Sequence, residues 1–182
     1  GSFANTEEYT RPYVPPFSCY LPGAWSAGGA MITARYALGS AGQQNSGLAI
    51  AGAPSPASTE EYNGVSWSGG GTLINATARR GGAGEQDAAL AIGGYVACTE
   101  EYNGSTWSEG GALIVSRRFA TATGEQNAAL AMGGLNPTTL ACTEEYNGSS
   151  WSTGGALSTS RYGEEEEGTQ NAALVGGGAN NS

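Results

Sequence analysis

Short apolar runs broken by glycine recur along the whole chain. Each run is a few residues long, as in the segment QNAALA at 126–131, and polar residues or glycine follow it closely. No segment keeps the 3.6-residue spacing of apolar positions that an amphipathic helix requires. The pattern therefore predicts short β-strands separated by turns, four of them in each recurring segment.

The sequence Tyr-Asn-Gly-x-x-Trp predicts a tight hairpin at three places, residues 62–67, 102–107 and 146–151. Asn-Gly suits a type I′ turn, because both central residues of that turn need a positive φ. We therefore expect Asn-Gly to form the turn between two adjacent antiparallel strands.

These elements belong to a repeat of roughly 40 residues, a length typical of solenoids, propellers and other arrays. The motif TEEY starts at 6, 59, 99 and 143, and each copy continues through a tryptophan, a glycine pair and a single glycine into a QNAALA-like run. An arginine follows the glycine pair in three copies, whereas the aligned position in the second copy is Thr77. The chain is thus predicted to be one domain, residues 1–182, built from four similar units.

Composition narrows the range of functions. The 182 residues carry a net charge of −9 and include 31 glycines, no lysine and no histidine. Binding to a phosphate backbone needs clustered cations, so we expect no nucleic-acid partner. The usual general base, metal ligand and Schiff-base nucleophile are missing, so we expect no cofactor, no metal and no catalysis. No apolar run is long enough to cross a bilayer, so no membrane insertion is expected.

The repeat resembles the kelch repeat of one β-propeller family. Gly133-Gly134 ends an apolar strand, Glu144 and Tyr146 follow, and Trp151 and Arg161 come next. The pattern recurs four times over nearly the whole chain, and its glycine-rich form is similar to arrays in phage and environmental sequences. The resemblance implies a β-propeller fold. This sequence departs from the kelch pattern in that its first copy carries an insertion between Tyr9 and Trp25 and its second copy lacks the aligned arginine.

The kelch strand order implies an all-β fold, a small propeller of four blades with four antiparallel strands each. The chain starts at TEEY, so its N-terminal segment would supply the two outer strands of a blade whose inner strands come from the C-terminal segment. Joining the two segments closes the ring and leaves only short, protected edges. A fragment of a larger ring, or two chains that pair into eight blades, is the alternative.

The repeated Glu-Glu pairs suggest the acid pair of a glycosidase. Consecutive residues of a strand point to opposite faces, so two adjacent carboxylates cannot both face one scissile bond. We expect the first glutamate to pair with the arginine of its repeat, and the tryptophan to pack between blades. The residues given this structural role are Glu7, Tyr9, Trp25, Glu60, Tyr62, Trp67, Glu100, Tyr102, Trp107, Glu144, Tyr146, Trp151, Arg35, Arg117 and Arg161.

An insertion at Thr10–Ala24 replaces the Asn-Gly turn in the first copy. It would present Arg11, Tyr13, Phe17 and Tyr20 on a proline-stiffened loop, and function commonly lies on such loops over a rigid scaffold. These four residues are therefore the candidate ligand-binding residues. The alternative is a loop that folds back and caps the ring.

Two smaller features also depart from the common pattern. The run Glu164–Glu167 stands where the first copy has 38–41, and four like charges are expected to stay solvated because they repel one another. Cys98 and Cys142 precede their TEEY motifs at the same phase, and we expect buried free thiols there.

These observations predict a non-catalytic binding or structural module on a propeller scaffold. Its ligand would be a protein or a surface glycan, its setting a phage virion or another extracellular one, and its assembly a monomer or a homo-oligomer. The alternative is a carbohydrate-active enzyme that uses carboxylates gathered at the mouth of the ring.

Overall fold

The computed structural model describes residues 4–10 and 24–180. This part of the chain forms sixteen β-strands and contains no helix. In chain order the strands are β1 Glu7–Thr10, β2 Ala24–Ala27, β3 Gly39–Gln43, β4 Ser46–Ile50, β5 Thr59–Tyr62, β6 Trp67–Gly69, β7 Arg80–Glu85, β8 Ala88–Gly93, β9 Thr99–Tyr102, β10 Trp107–Glu109, β11 Thr121–Glu125, β12 Ala128–Met132, β13 Thr143–Tyr146, β14 Trp151–Thr153, β15 Glu165–Thr169 and β16 Ala172–Gly176.

The strands form three complete four-stranded sheets and two hairpins. The sheets run β3-β4-β5-β6, β7-β8-β9-β10 and β11-β12-β13-β14, each an antiparallel meander that we call blades 1, 2 and 3. The hairpins are β1-β2 at one end of the chain and β15-β16 at the other. The prediction of an all-β, propeller-like fold with four-stranded antiparallel sheets is therefore confirmed.

The innermost strands lie side by side around a common axis. Strand β7 packs against β3 on one side and β11 on the other, and β11 packs against β15. These approaches are close enough to exclude a side chain: a Cβ on Gly82 would lie 2.3 Å from the carbonyl oxygen of Ser40, and one on Gly81 would lie 2.8 Å from that of Ala120. The glycines of β7 are thus required by the narrow centre of the array.

The core lies between neighbouring blades. Leu90 and Ile92 of blade 2 are fully buried against Ala129, Ala131 and the aromatic residues of blade 3, and a matching cluster joins blade 1 to blade 2. Large side chains on one sheet thus face alanines on the next, which lets the sheets approach closely. The end hairpins lack this cover, since Leu174 of β16 is 74% exposed and Trp25 of β2 is 67% exposed.

The hairpin turns differ from the type I′ prediction. Tyr62 is the last paired residue of β5 and pairs with Trp67 of β6, so the loop has four residues. Gly64 has a positive φ of 87°, whereas Asn63 is absent from the positive-φ residues of the described chain. The Asn63 Oδ1 atom accepts hydrogen bonds from the backbone N–H groups of Val65 and Ser66 instead. The asparagine therefore acts through its side chain in an Asx-type turn.

Candidate functional site

The first glutamate of each complete blade lies in a buried ion pair. In blade 3, a guanidinium nitrogen of Arg117 lies 2.5 Å from Glu144 Oε1, and the side chains are 0% and 2% exposed. The backbone N–H groups of Ile114 and Val115 donate to the same carboxylate, over 2.7 Å and 3.1 Å. Arg117 also donates to the carbonyl oxygens of Gly133 and Cys142. A buried charge pair with its hydrogen bonds satisfied on both sides fixes the geometry of the blade.

Blade 2 makes the same pair with an arginine that the alignment missed. Thr77 occupies the aligned position, but Arg80, three residues later, places a guanidinium nitrogen 2.8 Å from Glu100 Oε1. Arg80 also donates to the carbonyl oxygen of Asn75. The absence of the aligned arginine therefore does not remove the ion pair, because Arg80 reaches the carboxylate from a different backbone position. Blade 1 uses Arg35 and Glu60.

The second glutamate of the motif accepts a hydrogen bond from the tyrosine of the following blade. Tyr146 donates to Glu101 over 2.6 Å and Tyr102 donates to Glu61 over 2.5 Å. Tyr62 likewise donates to Glu8 of the N-terminal hairpin. Burial raises the pKa of Tyr146, and its hydrogen bond to Glu101 raises it further. The two adjacent glutamates thus point apart, one into its own blade and one toward the next.

The turn that joins the first two strands of each sheet, which we call the inner turn, carries a glutamine. This glutamine also connects neighbouring blades. Gln126 donates to the carbonyl oxygens of Ala89 and Tyr102, over 3.1 Å and 2.7 Å. Gln86 and Gln170 make the equivalent pairs of bonds to the blades before them. No role is predicted above for this glutamine. Its recurrence in the QNAALA-like runs is the sequence feature that indicates one.

The tryptophans lie at the seams between blades. Trp151 packs beside Tyr146 with the two rings tilted and their centroids 4.9 Å apart, and its Nε1–H donates to Thr99 of blade 2. Trp67 of blade 1 donates to Thr6 in the same way, and Trp107 is buried beside Tyr102. At the N-terminal hairpin, Tyr9 and Trp25 pair across β1 and β2, with ring centroids 5.4 Å apart.

The candidate ligand-binding residues Arg11, Tyr13, Phe17 and Tyr20 lie outside the described residues. The segment that carries them joins β1 to β2, as the Asn-Gly loops join β5 to β6 and the equivalent strands. Those loops lie beside the inner turns, since Gly64 adjoins Asn45 and Gly148 adjoins Asn127. We call the end of the array that carries the Asn-Gly loops and the inner turns the turn face.

The glutamate run is not uniformly solvated as expected. Glu164 is 6% exposed, and its Oε2 accepts a hydrogen bond from the Thr121 hydroxyl of β11. Burial raises the pKa of the Glu164 carboxyl, because the charged form loses its hydration. Residues 165–169 form β15, which packs beside β11. Glu166 and Glu167 are exposed, so the burial of Glu164 is what departs from the expectation.

Both cysteines in the described segments are free and half-buried. The Sγ atoms of Cys98 and Cys142 lie 3.3 Å from guanidinium nitrogens of Arg80 and Arg117. Cys19 lies outside the described residues. Within residues 4–10 and 24–180, no cluster of three potential metal ligands occurs and no helix is long and apolar enough to cross a membrane.

No protein-family model matches the chain. The comparison with curated proteins likewise finds no similar sequence.

Removing the arginine of a buried pair should strongly destabilise the protein. Arg117→Ala leaves the Glu144 carboxylate buried without its cation, so we expect a loss of about 3–5 kcal/mol in the free energy of unfolding. Thermal denaturation followed by circular dichroism measures it. The neighbouring Arg118, which makes no ion pair among the described residues, provides the matched control Arg118→Ala. An unchanged melting temperature in Arg117→Ala would refute the role of the pair.

Glu164 should oppose folding at neutral pH. Its raised pKa means that folding favours the protonated acid, so its ionisation costs stability as the pH rises from the unfolded pKa through the folded one. Glu164→Gln should therefore melt a few degrees above the wild type at pH 7 and show no advantage at pH 3. The exposed Glu109, changed to Gln, is the control. A constant melting difference from pH 3 to pH 7 would contradict the assignment.

Proposed function

We propose that the chain is a kelch-like β-propeller of four blades, closed by its two terminal hairpins, that serves as a non-catalytic binding or structural module. The fourth blade would consist of β15-β16 as its inner strands and β1-β2 as its outer strands. Two kinds of observation support this closure: the geometry of the centre and the contacts that the end hairpins leave unmade.

The inner strands of all four repeats line the same central space. A cavity of about 240 Å³ is bordered by residues of β3, β7 and β11 and by Glu164 and Glu166 at the start of the last hairpin. A second cavity, of about 360 Å³, lies further along and is also bordered by all four inner strands. Strands of one chain that surround a shared axis have the curvature that a small closed ring needs.

The hydrogen bonds that join neighbouring blades are incomplete at the two end hairpins, and the groups that one hairpin lacks match groups that the other carries. Gln44 bonds to the carbonyl oxygen of Tyr9, whereas its counterparts Gln86 and Gln126 each bond to two carbonyl groups of the preceding blade. Ala173 of β16 would supply the second carbonyl group to Gln44. One glutamine would then hold both hairpins as parts of one blade.

The ion pair and the aromatic contacts lead to the same arrangement. Arg161 donates to the carbonyl oxygen of Gly177, as Arg117 does to Gly133, but it forms no salt bridge with a carboxylate in the described part of the chain. Glu7 occupies the matching position of the motif on β1. Tyr9 is 44% exposed, whereas Tyr146 is fully buried. Pairing β16 with β1 would give both Arg161 and Tyr9 the partners that their counterparts have.

A disulfide across the fourth blade tests the closure. In the complete blades Leu130 pairs with Glu145, so Leu174 should pair with Glu8. With Cys19, Cys98 and Cys142 replaced by serine, the double variant Glu8→Cys, Leu174→Cys should oxidise to a cross-linked monomer on a non-reducing gel. Pairing Leu174→Cys with Glu109→Cys is the control and should not cross-link. A disulfide-linked dimer would indicate a two-chain ring, and absence of oxidation an open array. Either result would overturn closure within one chain.

The assignment of a binding or structural role rests on how the repeated carboxylates are used. Glu60, Glu100 and Glu144 are buried in ion pairs, and Glu61 and Glu101 accept hydrogen bonds from tyrosines. Groups held in this way support the scaffold. A recognition surface is then expected where the repeat is interrupted, at the 11–23 segment with Arg11, Tyr13, Phe17 and Tyr20. A surface glycan or protein in a virion or another extracellular setting is the proposed partner.

A carbohydrate-active enzyme is the second candidate, and one observation favours it. Glu85, Glu125 and Glu167 come from three repeats and border the same cavity of about 360 Å³. Carboxylates that converge from different strands could act as an acid and a base, as adjacent ones cannot. Turnover of a glycan that is abolished by Glu125→Gln would favour the enzyme, whereas saturable binding without turnover favours the module.

The loop hypothesis is tested by a binding screen. The wild type and a variant with residues 10–24 shortened to an Asn-Gly turn are compared on a glycan array and on whole bacterial cells. We expect the wild type to bind and the shortened variant to lose at least tenfold in affinity, since aromatic and arginine anchors dominate such interfaces. The melting temperature of the variant shows whether it folds. Equal binding by both proteins would discard the loop as the recognition surface.

A further inference from the structure

The face opposite the turn face carries a ring of four residues around the central axis. Ala37, Arg79, Phe119 and Gly163 hold the same place in the four repeats, and all four border the cavity of about 240 Å³. Their backbones form a chain of hydrogen bonds: Arg79 N–H donates to Ala37 C=O, Phe119 N–H to Arg79 C=O, and Gly163 N–H to Phe119 C=O. We call these four residues the collar.

The collar requires a left-handed backbone that large side chains rarely adopt. All four residues have φ between 53° and 66°. Gly163 adopts this conformation freely, whereas Arg79 and Phe119 carry a conformational cost that a glycine would avoid. The scaffold therefore does not require these two side chains for the backbone geometry of the collar.

A strip of alternating cations and rings extends from the collar. The guanidinium of Arg79 lies 4.8 Å from the ring centroid of Phe119 and 5.2 Å from that of Tyr95. The guanidinium of Arg118 lies 5.5 Å from the same Tyr95 centroid. Tyr162 packs beside Phe119, with ring centroids 5.9 Å apart. Tyr95 is 56% exposed, so part of this residue reaches solvent beside the two cations.

The two arginines of the strip differ from the other described arginines in their bonding. Arg35, Arg80 and Arg117 are held in buried ion pairs, and Arg161 donates to backbone carbonyl groups. The side chains of Arg79 and Arg118 form neither an ion pair nor a hydrogen bond with any residue in 4–10 or 24–180. Each guanidinium has five N–H donors, and its planar fork matches a carboxylate.

We propose that the strip formed by Tyr95, Arg79, Phe119, Arg118 and Tyr162 is a second binding site, for a short saccharide that carries a carboxylate. The guanidinium groups bind the carboxylate through charge-assisted hydrogen bonds. The exposed part of the Tyr95 side chain packs against the C–H face of a pyranose ring. The strip contains no residue of the 11–23 segment, so this proposal and the loop hypothesis can fail separately.

The surrounding charges limit the ligand. Glu164 and Glu166 border the cavity inside the collar, so the carboxylate belongs outside it, over Tyr95 and between the two guanidinium groups. The net charge of −9 repels long polyanions, which disfavours nucleic acids and extended acidic polymers. A saccharide with one to a few negative charges is attracted by the two nearby guanidinium groups. It is only weakly repelled by the net negative charge of the protein.

Trigalacturonate and its methyl ester are the matched probes, because esterification removes the charge and retains the sugar rings. Isothermal titration at low salt should show saturable binding of trigalacturonate. Binding of the ester should be weaker by at least about tenfold, since hydrogen bonds to charged groups contribute that much. Added NaCl should weaken the binding of the acid.

Arg79→Gly and Phe119→Gly are the sharpest variants, because glycine suits the left-handed collar and the fold should be kept. Each, together with Arg118→Gln, should lower trigalacturonate affinity at least about tenfold without a fall in melting temperature. The variant with the shortened 10–24 loop should bind trigalacturonate like the wild type.

Several outcomes would overturn the proposal. These are no binding of trigalacturonate at millimolar concentration, unchanged affinity in the three variants, and loss of binding in the shortened-loop variant alone, which would place the site on that loop. Tighter binding of a hexaglutamate peptide than of trigalacturonate would show that the site takes acidic peptides and would remove the saccharide assignment.

Discussion

The buried arginine–glutamate pair is the interaction on which the blades depend. A carboxylate such as Glu144 is taken out of water, and the cost of its desolvation is offset by one guanidinium and two backbone N–H groups. These partners belong to the segment that leaves β10, the outer strand of blade 2, so the pair ties this segment to β13, the third strand of blade 3. The same segment then leads to the collar and the first strand of the next blade. The ion pair therefore sets the position of each blade relative to the one before it.

Contacts between blades have a direction, and this direction makes the array suited to closure. The motif tyrosine of each complete blade donates to a glutamate of the preceding unit, and Gln86, Gln126 and Gln170 each donate to two carbonyl groups there. Such an array has one end that offers acceptors and another that offers donors. Because strand edges and exposed aromatic residues favour association, ends that match each other are most stable when joined. Under the proposed closure, the terminal hairpins are the two halves of one blade.

The sequence was sufficient to predict the strands, their grouping in fours and the opposite orientation of adjacent glutamates, because these follow from periodicity and strand alternation. It could not predict that Arg80 replaces Thr77, because the reach of a guanidinium is not fixed by alignment. Burial of Glu164 was also missed, since it depends on the neighbouring strand β11 and its Thr121 hydroxyl. The collar depends on backbone torsions, and neither Arg79 nor Phe119 signals a left-handed conformation in sequence.

Under the proposed function, recognition is separated from the residues that recur in every blade. Residues that recur in every blade are used to hold the blades together, so their side chains offer little to a ligand. Residues that vary at a fixed structural position are different: the collar presents alanine, arginine, phenylalanine and glycine on one backbone geometry. A position that accepts four such different side chains is constrained by its backbone and not by its packing. Its side chains can therefore differ from blade to blade without a change in the backbone of the collar.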